Sequence, residues 1–159
     1  MFTGGKQQNT FNLQNATSLC NIATTLPPCP ANTVAVANGI LQNILIQRNE
    51  LTQLAAVNAS LGNPTAFAAA KTQFINVINS GVAVRKANQA LADPANLALV
   101  AGLATVEGAQ AQELALATGL VGTVAADAKS IASLQAAFNG GIAKNSENVA
   151  NALAVCTIF

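Results

Sequence analysis

The chain is divided by three dipeptides that end in proline, Cys29-Pro30, Asn63-Pro64 and Asp93-Pro94. Proline fits the first turn of a helix, where its missing N–H has no partner, and asparagine or aspartate before it caps the helix. Gly62 precedes the second dipeptide, and glycine accepts the left-handed conformation that ends a helix. These signals predict that one helix begins at each of the three prolines.

The segment 30–62 has the apolar spacing of a helix. Steps of three and four residues are typical of one buried helix face, and not of a strand. About 30 residues at ~1.5 Å rise make a rod of roughly 45 Å, which needs antiparallel partners. On this pattern Glu50 is expected to be solvated near Arg48. The positions expected to face inward are Val34, Ala37, Ile40, Leu41, Ile44, Leu45, Leu51, Leu54 and Ala55.

The rest of the chain gives further helices and no alternating strand pattern. We expect helices over 10–26, 64–91, 94–118, 124–138 and 146–155, with Asn139-Gly140-Gly141 ending the fifth and a less certain end near Gly119. The predicted fold is an all-α antiparallel bundle of five or six helices, two or three of them about 25–30 residues long. Residues 1–9 are expected to be a flexible arm before a single domain, 10–159. Pro-Ala-Asn at 30–32 and 94–96 is compatible with a duplicated hairpin, and equally with chance.

The composition excludes several classes of function. The chain is 52% apolar and 8% charged, has a net charge of +1, and lacks His, Trp and Tyr. Clustered Lys and Arg for nucleic acid are missing, as are histidine ligands for zinc or di-iron and a Ser-His-Asp triad. No stretch has the length and apolarity of a transmembrane helix. We therefore predict a protein that is not an enzyme, with no metal, no cofactor, no nucleic-acid partner and no transmembrane segment.

Three cysteines leave the disulfide pairing open. Cys20 and Cys29 flank a rigid Pro-Pro turn and suit one bridge, whereas a bridge from either to Cys156 ties the chain ends. Three buried thiols are the remaining alternative. The stiff prolines around Cys29 favour its participation in a bridge.

Low charge and a disulfide together favour an extracellular location, in a cell wall or matrix. No secretory segment follows Met1, so we interpret the chain as a mature form with an added Met1. Asn15 and Asn58 begin glycosylation sequons.

The apolar content exceeds what one small core needs. The excess favours binding of a lipid, another apolar small molecule or an apolar surface, and the alternative is a structural protein that self-associates into homo-oligomers. The hypothetical ligand-lining residues are large side chains on the inward faces of the predicted helices: Ile40, Ile44, Leu51, Phe67, Phe74, Ile78, Leu103 and Phe138.

Residues 30–156 resemble small secreted fungal proteins of the hydrophobic-surface-binding and cell-wall galactomannoprotein type. The resemblance lies in a weakly charged helical chain rich in Ala, Asn and Thr, including Pro30-Ala31-Asn32-Thr33-Val34 and Ala125-Ala126-Asp127-Ala128-Lys129. It implies a secreted helical bundle that binds fatty acids or hydrophobic solids.

Overall fold

The computed structural model describes residues 29–156 as four long helices and one short 3-10 turn. No strand occurs within this part of the chain. α1 packs against α2 and α4, and α3 packs against α4 and α2, which closes an antiparallel four-helix ring. The elements are α1 (Ala31–Ala59), α2 (Pro64–Leu91), α3 (Leu97–Gly119), α4 (Val124–Leu153) and the turn Ala154–Cys156.

The all-α prediction is confirmed, but five or six helices is wrong for the described residues, which hold four. The predicted arm, the predicted helix 10–26, Asn15 and Cys20 lie outside the described residues.

The error arises at Gly140-Gly141, because α4 continues through the pair where the sequence predicted an end. Gly141 is buried against the Gln47 side chain of α1, whereas Gly140 faces open space. A glycine inside a helix costs only about 1 kcal/mol relative to alanine. Packing along the whole of α4 outweighs that cost. The predicted end near Gly119 is confirmed, since α3 ends there.

One predicted helix cap is confirmed and one is wrong. Asn63 caps α2, accepting a hydrogen bond from the Ala66 N–H at 3.1 Å. Asp93 does not cap α3; its carboxylate accepts from the Ala95 N–H at 2.9 Å, within the preceding turn. Asn96 caps α3 instead, accepting from the Leu99 N–H at 3.1 Å.

The buried face of α1 also differs from the prediction. Val34 and Leu41 are only half-buried, and Leu45 and Ala55 are exposed. The prediction followed the apolar residues, but the helix buries a polar run in its middle. The buried positions alternate by three and four residues, which is the spacing of coiled-coil packing. They are Val36, Ile40, Asn43, Gln47, Glu50, Leu54 and Val57.

Two apolar clusters fill the opposite ends of the bundle. The loop-end cluster lies near the α1–α2 and α3–α4 turns and consists of Leu54, Val57, Phe67, Phe74, Ile78, Ala117, Leu120, Ile131, Leu134 and Phe138. The disulfide-end cluster lies at the other end and consists of Val36, Ala37, Ile40, Leu99, Leu103 and Ala152.

The hairpin α1–α2 is repeated as the hairpin α3–α4. A shift of 63 residues places the pattern Gly39, Gln47, Glu50-Leu51 of α1 on Gly102, Gln110, Glu113-Leu114 of α3. A shift of 60 residues places the pattern Gly62, Asn79, Gly81, Asn88 on Gly122, Asn139, Gly141, Asn148. The change of shift falls where α1 extends further than α3.

The backbone supports the same correspondence. Gly62 and Gly122 are the two glycines with positive φ in the described residues, at 84° and 93°. They meet directly, because the Gly62 N–H donates to the Gly122 carbonyl at 2.9 Å. The Pro-Ala-Asn tripeptides that hinted at duplication lie one residue out of this register. The bundle is therefore two similar hairpins related by an approximate twofold axis.

A Cys29–Cys156 disulfide closes the other end of the bundle, with the two Cα atoms 5.0 Å apart. It confirms that Cys29 is bridged, and selects Cys156 over Cys20 as its partner. The bridge joins the residue before α1 to the final turn after α4, across 127 positions of sequence.

We expect the Cys29→Ser/Cys156→Ser double variant to lose about 2–5 kcal/mol of unfolding free energy, because the bridge restricts a long loop of the unfolded chain. Urea unfolding followed by circular dichroism measures this loss. Cys20→Ser is the control, since Cys20 takes no part in this bridge. An unchanged midpoint in the double variant would contradict the expectation.

Candidate functional site

A buried polar layer separates the two apolar clusters. Each helix contributes to it between its residues of the loop-end cluster and its disulfide-end positions. Every member is at most 5% exposed. The polar layer consists of Asn43, Gln47 and Glu50 from α1, Arg85 and Asn88 from α2, Gln110 and Glu113 from α3, and Asn145 and Asn148 from α4.

Amide hydrogen bonds link three helices across this layer. Asn145 Nδ2 donates to Asn43 Oδ1 at 2.6 Å and to Gln47 Oε1 at 2.9 Å. Arg85 Nη1 also donates to Asn43 Oδ1, at 3.3 Å. Gln110 of α3 donates to the Ile78 carbonyl at 2.9 Å. Since hydrogen bonds at this depth are shielded from water, they define how the helices are aligned along the bundle.

Three charged side chains lie within this layer. Arg85 Nη2 is 4.0 Å from Glu50 Oε1, and neither atom has a hydrogen-bond partner among the described residues. Burial raises the pKa of Glu50 to about 8; Arg85 opposes this shift and Glu113 adds to it. Burial likewise raises the pKa of Glu113 and lowers the pKa of Arg85. Desolvation therefore outweighs the ion pair, because the contact is long and lacks a hydrogen bond.

Glycines make room for the polar side chains. The Asn88 side chain packs on Gly39 of α1, and the Asn148 side chain packs on Gly102 of α3. These two contacts are equivalent in the repeat. Each glycine lets a polar side chain of the neighbouring helix approach the backbone, so the spacing of the helices depends on the missing Cβ.

The sequence analysis missed the polar layer and wrongly expected Glu50 at the surface. A signal was present, because Gln and Glu recur three residues apart after a glycine in both α1 and α3. Two carboxyl groups beside an arginine can hold a proton between them. They are closed off from solvent, however, and no group of three His, Cys, Asp or Glu in residues 29–156 could hold a metal ion.

The disulfide-end pocket, of about 330 Å³, lies where the four helices approach the Cys29–Cys156 bridge. Leu91 and Val155 line it and stay about 40% exposed. Leu97 and Val100, at the start of α3, are exposed as well. Asp93 is the one charged residue of the lining, which consists of Pro30, Asn32, Thr33, Val36, Leu91, Asp93, Asn96, Leu99, Ala152 and Val155.

The eight hypothetical ligand-lining residues are divided by the polar layer. Phe67, Phe74, Ile78 and Phe138 belong to the loop-end cluster, and Leu51 packs against it. The Phe74 and Phe138 rings meet edge to face with centroids 5.9 Å apart. Ile40 and Leu103 lie in the disulfide-end cluster, and Ile44 is buried elsewhere on α1. Contact of these residues with a ligand stays a prediction.

A second depression, the α1–α4 groove, has a volume of about 280 Å³. Leu51 is its one residue from the predicted set, and the sequon residue Asn58 also lines it. The full lining is Leu51, Leu54, Ala55, Asn58, Ile131, Gln135 and Asn139.

No helix within residues 29–156 has the length and apolarity needed to cross a membrane. Comparison of the chain with protein-family models, with curated proteins and with solved structures found no match. The site must therefore be interpreted from its own chemistry.

We expect the folding stability to fall as the pH rises from about 4.5 to 8. The folded protein retains the Glu50 proton over that range while the unfolded chain releases it, at a cost of up to about 4–5 kcal/mol. Glu50→Gln should flatten this slope and exceed wild type in stability at pH 8, which urea unfolding at pH 5 and pH 8 measures. Glu147→Gln, at the exposed surface, should retain the wild-type slope. The same slope in Glu50→Gln would contradict the assignment.

Two glycines of α3 test the packing of the layer. Gly102→Ala should lose about 1–3 kcal/mol, because the added Cβ displaces the buried Asn148 side chain. Gly108→Ala should gain up to about 1 kcal/mol, since its Cβ meets open space within a helix. Thermal unfolding measures both changes. Equal effects in the two variants would show that the layer tolerates displacement.

Proposed function

We propose that this protein is a non-enzymatic extracellular helical bundle that binds an apolar ligand or surface through the disulfide-end pocket. The observation that carries the proposal is the pocket itself, where exposed Leu91 and Val155 border a concave space of about 330 Å³. Ligand sites in proteins are concave and mostly apolar, with a few polar groups that orient the ligand. Asn32, Asp93 and Asn96 would supply those polar groups.

The weakly charged surface supports the same interpretation. Glu50, Arg85, Glu113 and Asp127 are buried, which leaves fewer of the scarce charges outside. Of the seven large apolar residues that remain exposed within 29–156, four lie at the disulfide end: Leu91, Leu97, Val100 and Val155. Exposed apolar residues gathered in one region mark interaction sites more often than scattered ones do.

The extracellular part of the proposal rests on the disulfide, since such bonds persist mainly in oxidising compartments. The resemblance to secreted fungal proteins that bind hydrophobic surfaces points the same way, and a cell wall or matrix is the setting that we propose. We favour a neutral head group over a carboxylate in this pocket, because Asp93 is its one charged lining residue.

We expect 1-alkanols to bind with an affinity that increases with chain length until the pocket is full. Each buried methylene contributes about 0.8 kcal/mol, which is roughly fourfold in Kd. Isothermal titration calorimetry with 1-hexanol, 1-octanol and 1-decanol measures this increase. Leu91→Trp should weaken binding at least tenfold, because the indole occupies the pocket.

Leu45→Trp is the matched control, since Leu45 is similarly exposed but does not line the pocket. The chain lacks Trp and Tyr, so each variant also carries a single fluorescent reporter. Absence of length-dependent binding would contradict the proposal. If light scattering then showed oligomers of the ligand-free protein, the self-associating structural alternative would take its place.

A further inference from the structure

The repeat assigns a counterpart to Lys71. The ammonium of Lys71, on α2, donates to the carbonyls of Thr118 and Leu120 at the end of α3, each at 2.7 Å. It also lies 6.0 Å from the centroid of the Phe67 ring. An alkyl chain that ends in an ammonium thus spans the α2–α3 interface. The positive charge is held where the helix dipole of α3 is negative.

The approximate twofold axis maps this interface onto the interface between α4 and α1. The shift of 60 residues places Lys71 on Ile131, which has no ammonium to offer. The equivalent position opens into the α1–α4 groove, which Ile131 lines together with Ala55 and Asn58 near the end of α1. The repeat therefore has an aliphatic groove on one side and a lysine side chain on the other.

The chemistry of the groove fits the group that Lys71 supplies. Leu51, Leu54 and Ile131 form an apolar wall of a length suited to an alkyl chain. Asn58, Gln135 and Asn139 line the same groove and offer amide oxygens as acceptors. The last turn of α1 contains no basic residue, so its negative dipole end has no cation on that turn. No charged side chain lines the groove.

We propose that the α1–α4 groove is a binding site for an aliphatic primary amine. The ammonium would donate to the amide oxygens near the end of α1, and the alkyl chain would lie on Leu51, Leu54 and Ile131. This site is separate from the disulfide-end pocket and does not depend on the function proposed for it. A carboxylate of the same length is disfavoured, because the end of α1 repels a negative charge.

Titration of the wild-type protein, without a glycan on Asn58, tests the head group. We use hexylamine, hexanol and hexanoate at equal ionic strength and follow backbone amide NMR shifts. Hexylamine should bind at least tenfold more tightly than hexanoate, with the largest shifts in residues 51–58 and 131–139. Shifts confined to the disulfide-end pocket, or equal affinity for hexanoate, would overturn the proposal.

The variant Ile131→Lys tests the equivalence with Lys71. If the groove accepts an alkylammonium, the new lysine occupies it, so hexylamine binding is lost while Tm stays within a few degrees of wild type. Leu134→Lys is the matched control: Leu134 is fully buried, without a groove to receive the charge, and its Tm should fall by more than ten degrees. A folded Ile131→Lys protein that still binds hexylamine in the groove would overturn the proposal.

A surface variant keeps the test valid if Ile131→Lys fails to fold. Gln135 lines the groove but is exposed, so Gln135→Lys adds a repelling charge at little structural cost. It should weaken hexylamine binding at least fivefold. Ala136→Lys adds the same charge at the next residue, which does not line the groove, and should leave the affinity within twofold of wild type. Equal affinities in the two variants would overturn the proposal.

Discussion

Burial of Glu50, Arg85 and Glu113 in the middle of the bundle is the constraint on which the rest of the structure depends. Removing charges from water is expensive, and a contact of 4.0 Å without a hydrogen bond recovers only part of that cost. The surrounding amides and the retained proton on Glu50 reduce the remainder. A helix that slid by one turn would place these groups against apolar side chains. We infer that the polar layer specifies the alignment of the four helices more than it stabilises them.

The repeat explains how a chain with so few charges builds such a layer. Gln47 and Glu50 of α1 recur as Gln110 and Glu113 of α3, and the glycine–asparagine contacts recur with them. The two halves differ where one side chain has no equivalent. Arg85 is matched by Asn145, so one arginine serves two glutamates, and Lys71 is matched by Ile131. These differences in an approximate twofold arrangement mark the places where the chemistry of one half is not satisfied by the other.

The two ends of the bundle have different roles. At the loop end, the Gly62 and Gly122 turns meet, and Asp127 accepts hydrogen bonds from the Val121 and Gly122 N–H groups, so the chain closes over a packed core. At the other end, a single disulfide joins the first and last helices, and apolar side chains remain exposed around a pocket. Most large apolar side chains are used in the two clusters. The pocket and the groove lie outside them, where ligands can reach.

The sequence alone determined the all-α class, the helix starts at Pro30 and Pro64, the cap at Asn63 and the participation of Cys29 in a disulfide, because prolines, glycines and caps act through local backbone geometry. It did not determine which face of α1 is buried, since Glu50 and Gln47 are polar locally and are buried only because neighbouring helices bring amides and glycines to them. It also could not show that Gly140-Gly141 continue α4, because packing against α1 outweighs the local preference. The partner of Cys29, the disulfide-end pocket and the groove beside Ile131 were likewise decided by the tertiary structure, since each joins residues that are distant in sequence.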